Sequence, residues 1–189
     1  MPAARWIGTC ISWMRASFAR ISTPPAPAGT APSGGEAQAR EALGRSQGGF
    51  STKLHLRAEG NGRPITAVLT GGERHEQVAL EALLDQGAIR RPGRGRPRLR
   101  PHRTAGDKGY SSPAARDRLR RRHIIRPVIP SKSNQRRQPN FDRLAYRRRN
   151  AIERLINRLK QWRRIATRYE KRGANYLAMV TFGMILLWL

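Results

Sequence analysis

Two carboxylates are out of keeping with the rest of this sequence. Asp107 ends the segment Thr104 to Asp107, read as a strand, just before a turn in AGDKGYSS. Glu153 lies in RRRNAIERLINRLKQWRR, where a surface built only to hold phosphates has no use for an acid. At about 100° per residue, Tyr146, Arg149, Glu153, Asn157 and Lys160 fall within about 40° of one line along a helix. A strand-end Asp and a helical Glu, 46 residues apart, could meet over a sheet edge and hold Mg²⁺. That ion takes one or two carboxylates and completes its shell with phosphate oxygens. Two such ions cut a phosphodiester, one activating the attacking oxygen and the other stabilising the leaving oxygen, while neighbouring Arg and Lys hold the backbone. Plainer readings stand beside this one: a solvated polar face for the stripe, and a turn-forming Asp paired with Lys108 for the strand end.

The elements that must position these residues alternate. Ser51 to Arg57 places Leu54 and Leu56 on one face of a strand; Gly60-Asn61-Gly62 turns the chain, and Pro64 to Thr70 returns as its hairpin partner. Glu73 to Gly87 has helical apolar spacing. Residues 89 to 103 form an Arg-rich loop, Ser112-Pro113 starts a basic helix running to Arg122, and Ile124 to Ile129 is a strand with Pro127 marking an edge. One long helix is expected from Phe141 to about Lys171, closed by Gly173, with Ile152, Leu155, Ile156, Leu159, Trp162 and Ala166 on its core side. This order implies a mixed α/β fold. Residues 1–43, with STPPAPAGTAPSGG from Ser22 to Gly35, read as disordered, leaving 44–189 as the folded unit.

Composition narrows the partner. The 189 residues hold 38 Lys and Arg against 12 Asp and Glu, a formal charge of +26, and such a density of arginine faces a polyanion. The single cysteine, Cys10, excludes a disulfide or a cysteine-built zinc site within one chain, and His55, His75, His102 and His123 lack ligand spacing. Arg94-Gly95-Arg96-Pro97 matches the core of a minor-groove hook, although a general phosphate-contacting loop is the simpler reading. Trp162 and Trp188 read as core. No signal peptide is expected. The uncharged final 14 residues, Tyr176 to Leu189, are shorter than the roughly 20 a membrane-spanning helix needs and are expected to form a buried helix. A cytoplasmic, nucleoid-associated protein without membrane contact is therefore expected.

From about Gly44 to Leu189 the chain resembles the transposases of bacterial insertion sequences of the IS-five type. Tyr146, Arg149, Glu153 and Lys160 reproduce that family's third-carboxylate signature, and GRSQGGFSTKLHL, GRGRPRLRP, DKGYSS and RLKQWRRIATRYEK look like its other segments. The resemblance implies a ribonuclease H-like mixed sheet flanked by helices, an Asp-Asp-Glu triad holding Mg²⁺ or Mn²⁺, and DNA strand cleavage and transfer at terminal inverted repeats, possible as a homodimer. Asp107 would be the second carboxylate and Glu153 the third, both metal ligands, with Tyr146, Arg149 and Lys160 touching DNA.

The resemblance also requires a first Asp on a strand upstream of the Lys53 to Leu56 hairpin, and no Asp precedes Asp85. Glu36 and Glu41 lie in or beside the Pro/Gly-rich stretch and are not credible replacements. The expected product thus lacks its first strand and is inactive alone. Trp13-Met14 can be encoded only by TGGATG, which contains the Asp codon GAT in another frame. Residues 1 to about 40 are accordingly read as an out-of-frame or truncated segment. A non-catalytic basic protein that coats nucleic acid is the alternative, explaining the charge but not the Tyr-Arg-Glu-Lys stripe.

Overall fold

The computed structural model describes residues 8–18, 40–46, 49–88 and 94–189. Its strands are β1 (Gly8–Phe18), β2 (Gly44–Ser46), β3 (Gly49–Glu59), β4 (Pro64–Gly71), β5 (Arg103–Gly106), β6 (Arg126–Val128) and β7 (Thr167–Arg168). They form one mixed sheet in the order β2-β3-β1-β5-β6, with β4 also on β3 and β7 on β1. The β1/β3 and β3/β4 pairs are antiparallel, while β1/β5 and β5/β6 are parallel.

The expectation of a sheet without its first strand is corrected here. Gly8–Phe18, which the sequence analysis places in the disordered segment, runs through the centre between β3 and β5. The physical reason is the slot itself. Without β1, both β3 and β5 would present unpaired backbone donors and acceptors in the middle of the fold. Residues 1–7 and 19–39, the rest of the segment read as disordered apart from 40–43, lie outside the described residues.

Helices α1 (Leu80–Asp85), α2 (Pro113–Asp117), α3 (Arg143–Arg147), α4 (Asn150–Lys160), α5 (Arg163–Ala166) and α6 (Gly173–Leu186) cover the sheet. Leu54, Leu56 and Ala58 on one face of β3 join Ala105, Val128, Ile152, Leu155, Leu159 and Tyr176 in a core under α3 to α6. On the opposite side, Leu80, Leu83, Leu84, Tyr110, Leu119 and Ile129 form a second core. Its β3 face is polar: Lys53, His55 and Arg57 alternate with the leucines and are buried. Buried polar groups require partners. Lys53 Nζ donates to the Arg74 carbonyl at 2.6 Å and to Glu76 Oε1 at 2.9 Å. Burial acts to raise the Glu76 pKa, but the Lys53 hydrogen bond and charge prevail and hold it below its ordinary value.

The Arg57 guanidinium caps α1 through the carbonyls of Leu83 (3.0 Å), Leu84 (3.3 Å) and Gln86 (2.9 Å), and ties down the Leu99 carbonyl at 2.6 Å. Burial lowers its pKa to about 10, still charged at neutral pH. Arg116 and Arg168 are likewise buried against carbonyls. Part of the arginine content is therefore structural rather than available to phosphates.

His55 sits between Tyr110 Oη (3.2 Å) and Thr70 Oγ1 (2.9 Å). Burial first, then the Lys53 charge, lowers its pKa from 6.5 to about 4, against an opposing pull from Glu76. Between those values the unfolded chain holds a proton that the folded protein refuses. Stability therefore falls as pH drops through that window. The difference is worth about 3 kcal/mol. The urea midpoint is expected to fall between pH 7 and pH 4, and to fall less in His55→Gln; parallel profiles would refute the assignment.

The long helix expected from Phe141 to Lys171 is broken into α3, α4 and α5, and Thr167–Arg168 is a strand. Trp162 is extended (φ −83°, ψ 109°) and ends α4, and after α5 Thr167 is extended (φ −122°, ψ 120°), so β7 leaves the helix path and pairs with Ser17 and Phe18. Gly173 opens α6 instead of closing the long helix: its amide donates to the Glu41 carboxylate, and a Cβ there would lie 2.9 Å from the Glu41 carbonyl oxygen. The expected helix to Arg122 ends in a π-helical turn, Arg118–Arg122, and β6 starts at Arg126 because Ile124 takes φ +54°, which no strand continues. In α6, Tyr176, Val180 and Met184 are buried while Phe182, Ile185 and Leu186 are exposed, so the final helix is only half-buried. Trp162 packs on the core, whereas Trp188 is half-exposed, donates to the Pro64 carbonyl at 2.8 Å and stacks under Arg63. Among the described residues no helix is long and apolar enough to cross a membrane.

Candidate active site

The parallel pairing of β1 with β5 runs from Gly8/Arg103 to Ile11/Gly106 and stops. On the same side of β1, β7 pairs only at Ser17 and Phe18. Among the described residues a gap in the sheet lies between them along positions 12–16, and Asp107 stands at its mouth, the first residue past β5. Side chains at the carboxyl ends of parallel strands, where neighbouring strands part, are open to a ligand. Asp107 Oδ1 accepts from the Lys108 amide at 2.6 Å and caps the 3₁₀ turn Lys108–Tyr110. Tyr110 is buried behind it and Ser112 caps α2, its Oγ accepting from the Ala115 amide at 3.1 Å, so the turn is fixed on both sides.

Glu153 lies in the first turn of α4, a helix that packs across β1 and β3, and its side chain is about half exposed (48 %). The tight turn between α3 and α4 keeps the chain helical, with the Arg149 amide donating to the Tyr146 carbonyl at 2.9 Å. The stripe therefore survives the break. Arg149 stacks over the Tyr146 ring at 5.4 Å and bonds Glu153 Oε1 at 2.6 Å, and Tyr146 packs on Phe141 with ring centroids 5.4 Å apart. Burial acts to lower the Arg149 pKa, but the charges of Tyr146, Glu153 and Asp107 outweigh it and the pKa is raised. Lys160 is exposed at the end of α4, about 10 Å along the helix from Glu153.

The donors suit a hard, oxygen-seeking cation, because each carboxylate keeps one oxygen outside the hydrogen bonds just described. In number they are one short of the expected triad, since no acid occurs in Gly8–Phe18. Glu76 comes close to Gly109, but Lys53 neutralises it. Glu41 bonds the Gly173 amide and is remote in role. Among the described residues, the group of three potential ligands close enough to share an ion is Glu81, Asp85 and His123, which includes neither Asp107 nor Glu153. Sequence spacing missed it because Glu81 and His123 meet only through the fold, at 3.0 Å, and the Arg118 Nε lies 3.3 Å from the same Glu81. The exposed loop residues Arg94 and Arg96 flank Gly95 at φ +130°; residues 89–93 of that loop lie outside the described ones.

A putative transposase for insertion sequence element IS402 from Burkholderia cepacia is 33% identical over 136 residues, covering 72% of this chain. The chain spans 62% of the length of that relative. No solved structure matches. The model of the transposase DDE domain family matches residues 20–188, a span that takes in both Asp107 and Glu153, and the chain belongs to that family.

Proposed function

We propose that this chain is an insertion-sequence transposase of the IS-five type whose ribonuclease H-like catalytic domain keeps two of three carboxylates. Asp107 and Glu153 are its second and third, both ligands for Mg²⁺ or Mn²⁺, and Tyr146, Arg149 and Lys160 contact DNA beside the scissile bond. The observation that carries the reading is the packed row on one helical face, where Arg149 stacks on the Tyr146 ring at 5.4 Å and bonds Glu153 Oε1 at 2.6 Å. The strand order supports it, with an antiparallel β4-β3-β1 half and a parallel β1-β5-β6 half.

When bound, the ions supply a Lewis acid to the phosphodiester. The protein's own work is positioning. Asp107 is held by its capped turn and Glu153 by a helix packed on the sheet, so their separation is set by rigid elements. Arg149 compensates the carboxylates while they stand alone; released from Glu153, its fork can turn to a phosphate, with Tyr146 as its stacking platform. The parent reaction is DNA strand cleavage and transfer at terminal inverted repeats, by a homodimer among nucleoid DNA. With no acid on β1 the chain binds DNA without cutting it.

A frame-repaired chain carrying the first Asp is expected to nick DNA bearing the element's ends when Mg²⁺ is present. Loss of groups that merely support metal ligands costs about 10–100-fold, so Glu153→Gln is expected to cost about 100-fold or more. Unchanged nicking would remove Glu153 from the site. A repaired chain that binds DNA and never cuts would favour a non-catalytic nucleic-acid-coating protein instead.

A further inference from the structure

A second cluster of charge lies beside β6, the last strand in the sheet order among the described residues. Arg120, from the π-helical turn, and Arg136 and Arg137, from the loop after β6, line one open cleft of about 430 Å³ with Gln138 and Asn140. All three arginines are exposed. Asp117 lies 4.0 Å from Arg120, and Asp142, paired with Arg103 at 2.9 Å, lines the adjoining cleft. Three guanidinium groups that outnumber the carboxylates beside them repel one another less when an anion sits among them.

The loop that presents them is braced. Ser131 Oγ donates to the Arg136 carbonyl at 3.0 Å, Gln138 Nε2 donates to the Ile129 carbonyl at 2.9 Å, and the Lys132 amide donates to Gln135 Oε1 at 3.2 Å. Donors held in place before binding lose less freedom when a ligand arrives. A neighbouring cleft of about 230 Å³ shares Arg120, Gln138 and Asn140 and continues to Phe141, whose ring packs on Tyr146. The adjoining cleft thus brings the arginine cluster to Phe141, the ring on which Tyr146 of the stripe packs.

We propose that this cleft is a phosphodiester-binding track that grips the backbone of DNA leading away from the carboxylate site, without reading sequence. Planar guanidinium forks match phosphate oxygens, and an open cleft admits a continuous backbone rather than enclosing a small anion. The inference rests on the reading of the chain as a DNA-handling transposase.

The test is duplex binding by the full chain, followed by fluorescence anisotropy over a series of salt concentrations. Each phosphate contact contributes about −0.9 to the slope of log affinity against log salt. Replacing Arg120, Arg136 and Arg137 together by Gln is expected to flatten that slope by nearly three, equally for unrelated sequences. Replacing the exposed Arg45, Arg63 and Arg172 by Gln removes the same charge elsewhere and is expected to change the slope by less than one. A cleft variant that keeps the wild-type slope, or one matched by the control triple, overturns the track alone. Failure of the unaltered chain to bind duplex DNA overturns the transposase reading and the track with it.

Discussion

Replacing Arg168 by Met is expected to cost about 3–5 kcal/mol, because it removes one donor group from several acceptors at once. Arg168 has no exposed surface. Its Nε donates to the Glu170 carbonyl at 2.9 Å, Nη1 to the Glu41 carbonyl and to Thr52 Oγ1, both at 2.7 Å, and Nη2 to the Lys171 carbonyl at 2.9 Å. Burial lowers its pKa, partly offset by Glu41, Tyr176 and Glu170, so holding the charge inside already has a cost. Met replaces the aliphatic stem and removes that cost, yet it leaves three carbonyls and a hydroxyl facing a thioether. Each buried group stripped of its partner costs about 1–3 kcal/mol, which exceeds what is recovered. At this chain length about 2–4 °C of melting temperature accompanies each kcal/mol, so a fall of roughly 10 °C is expected in thermal denaturation. Arg164→Met, at an exposed position, is expected to change stability by less than about 0.5 kcal/mol. A comparable loss in the two variants would mean that Arg168 acts only through general charge.

That contrast explains what the sequence could reveal. Leu54 and Leu56 alternate because one face of β3 meets the apolar core, so the hairpin from Ser51 to Thr70 is legible residue by residue. Asp107 and the Ser112-Pro113 helix start are legible for local reasons, a strand end and a cap. Arg57 and Arg168 are not. Their partners are backbone carbonyls 26 and 127 positions away, which composition cannot distinguish from phosphate contacts. The breaks at Arg148 and Trp162 are equally silent, because apolar spacing continues through them and it is the pairing of β7 with β1 that turns the chain. Strand β1 is decided by the slot between β3 and β5 more than by its own residues, GTCISWMRASF. The stripe Tyr146–Arg149–Glu153 is readable from helical period, whereas the place of Asp107 beside β1 depends on the pairing of β1 with β5.

An acid placed on β1 at position 12 or 14 is expected to create metal-dependent DNA nicking in a chain that otherwise shows none. The register gives the positions. Ile11 lies beside Gly106, so the next residues, Ser12 and Asp107, stand at the mouth of the gap where the strands separate. Positions 12 and 14 pair with Leu56 and Leu54, whose face of the sheet carries α4 and therefore Glu153, while position 13 pairs with His55 on the opposite face. The Asp codon hidden in TGGATG straddles positions 13 and 14, at the same level of the strand. Three converging carboxylates repel one another until cations bind them, so the added acid is expected to raise the affinity for Mg²⁺ or Mn²⁺ while lowering stability in their absence. Ser12→Asp or Met14→Asp is expected to raise nicking of element-end DNA by about 10³-fold over background, the several kcal/mol that metal ions contribute to charge stabilisation in the transition state. The gain should disappear when Asp107→Asn or Glu153→Gln is combined with it, and Trp13→Asp should give none. Thermal shift on adding Mg²⁺ separates a failed fold from a failed site: a variant that melts higher with the ion yet never cuts would leave Asp107 and Glu153 as ligands and remove β1 from the catalytic set.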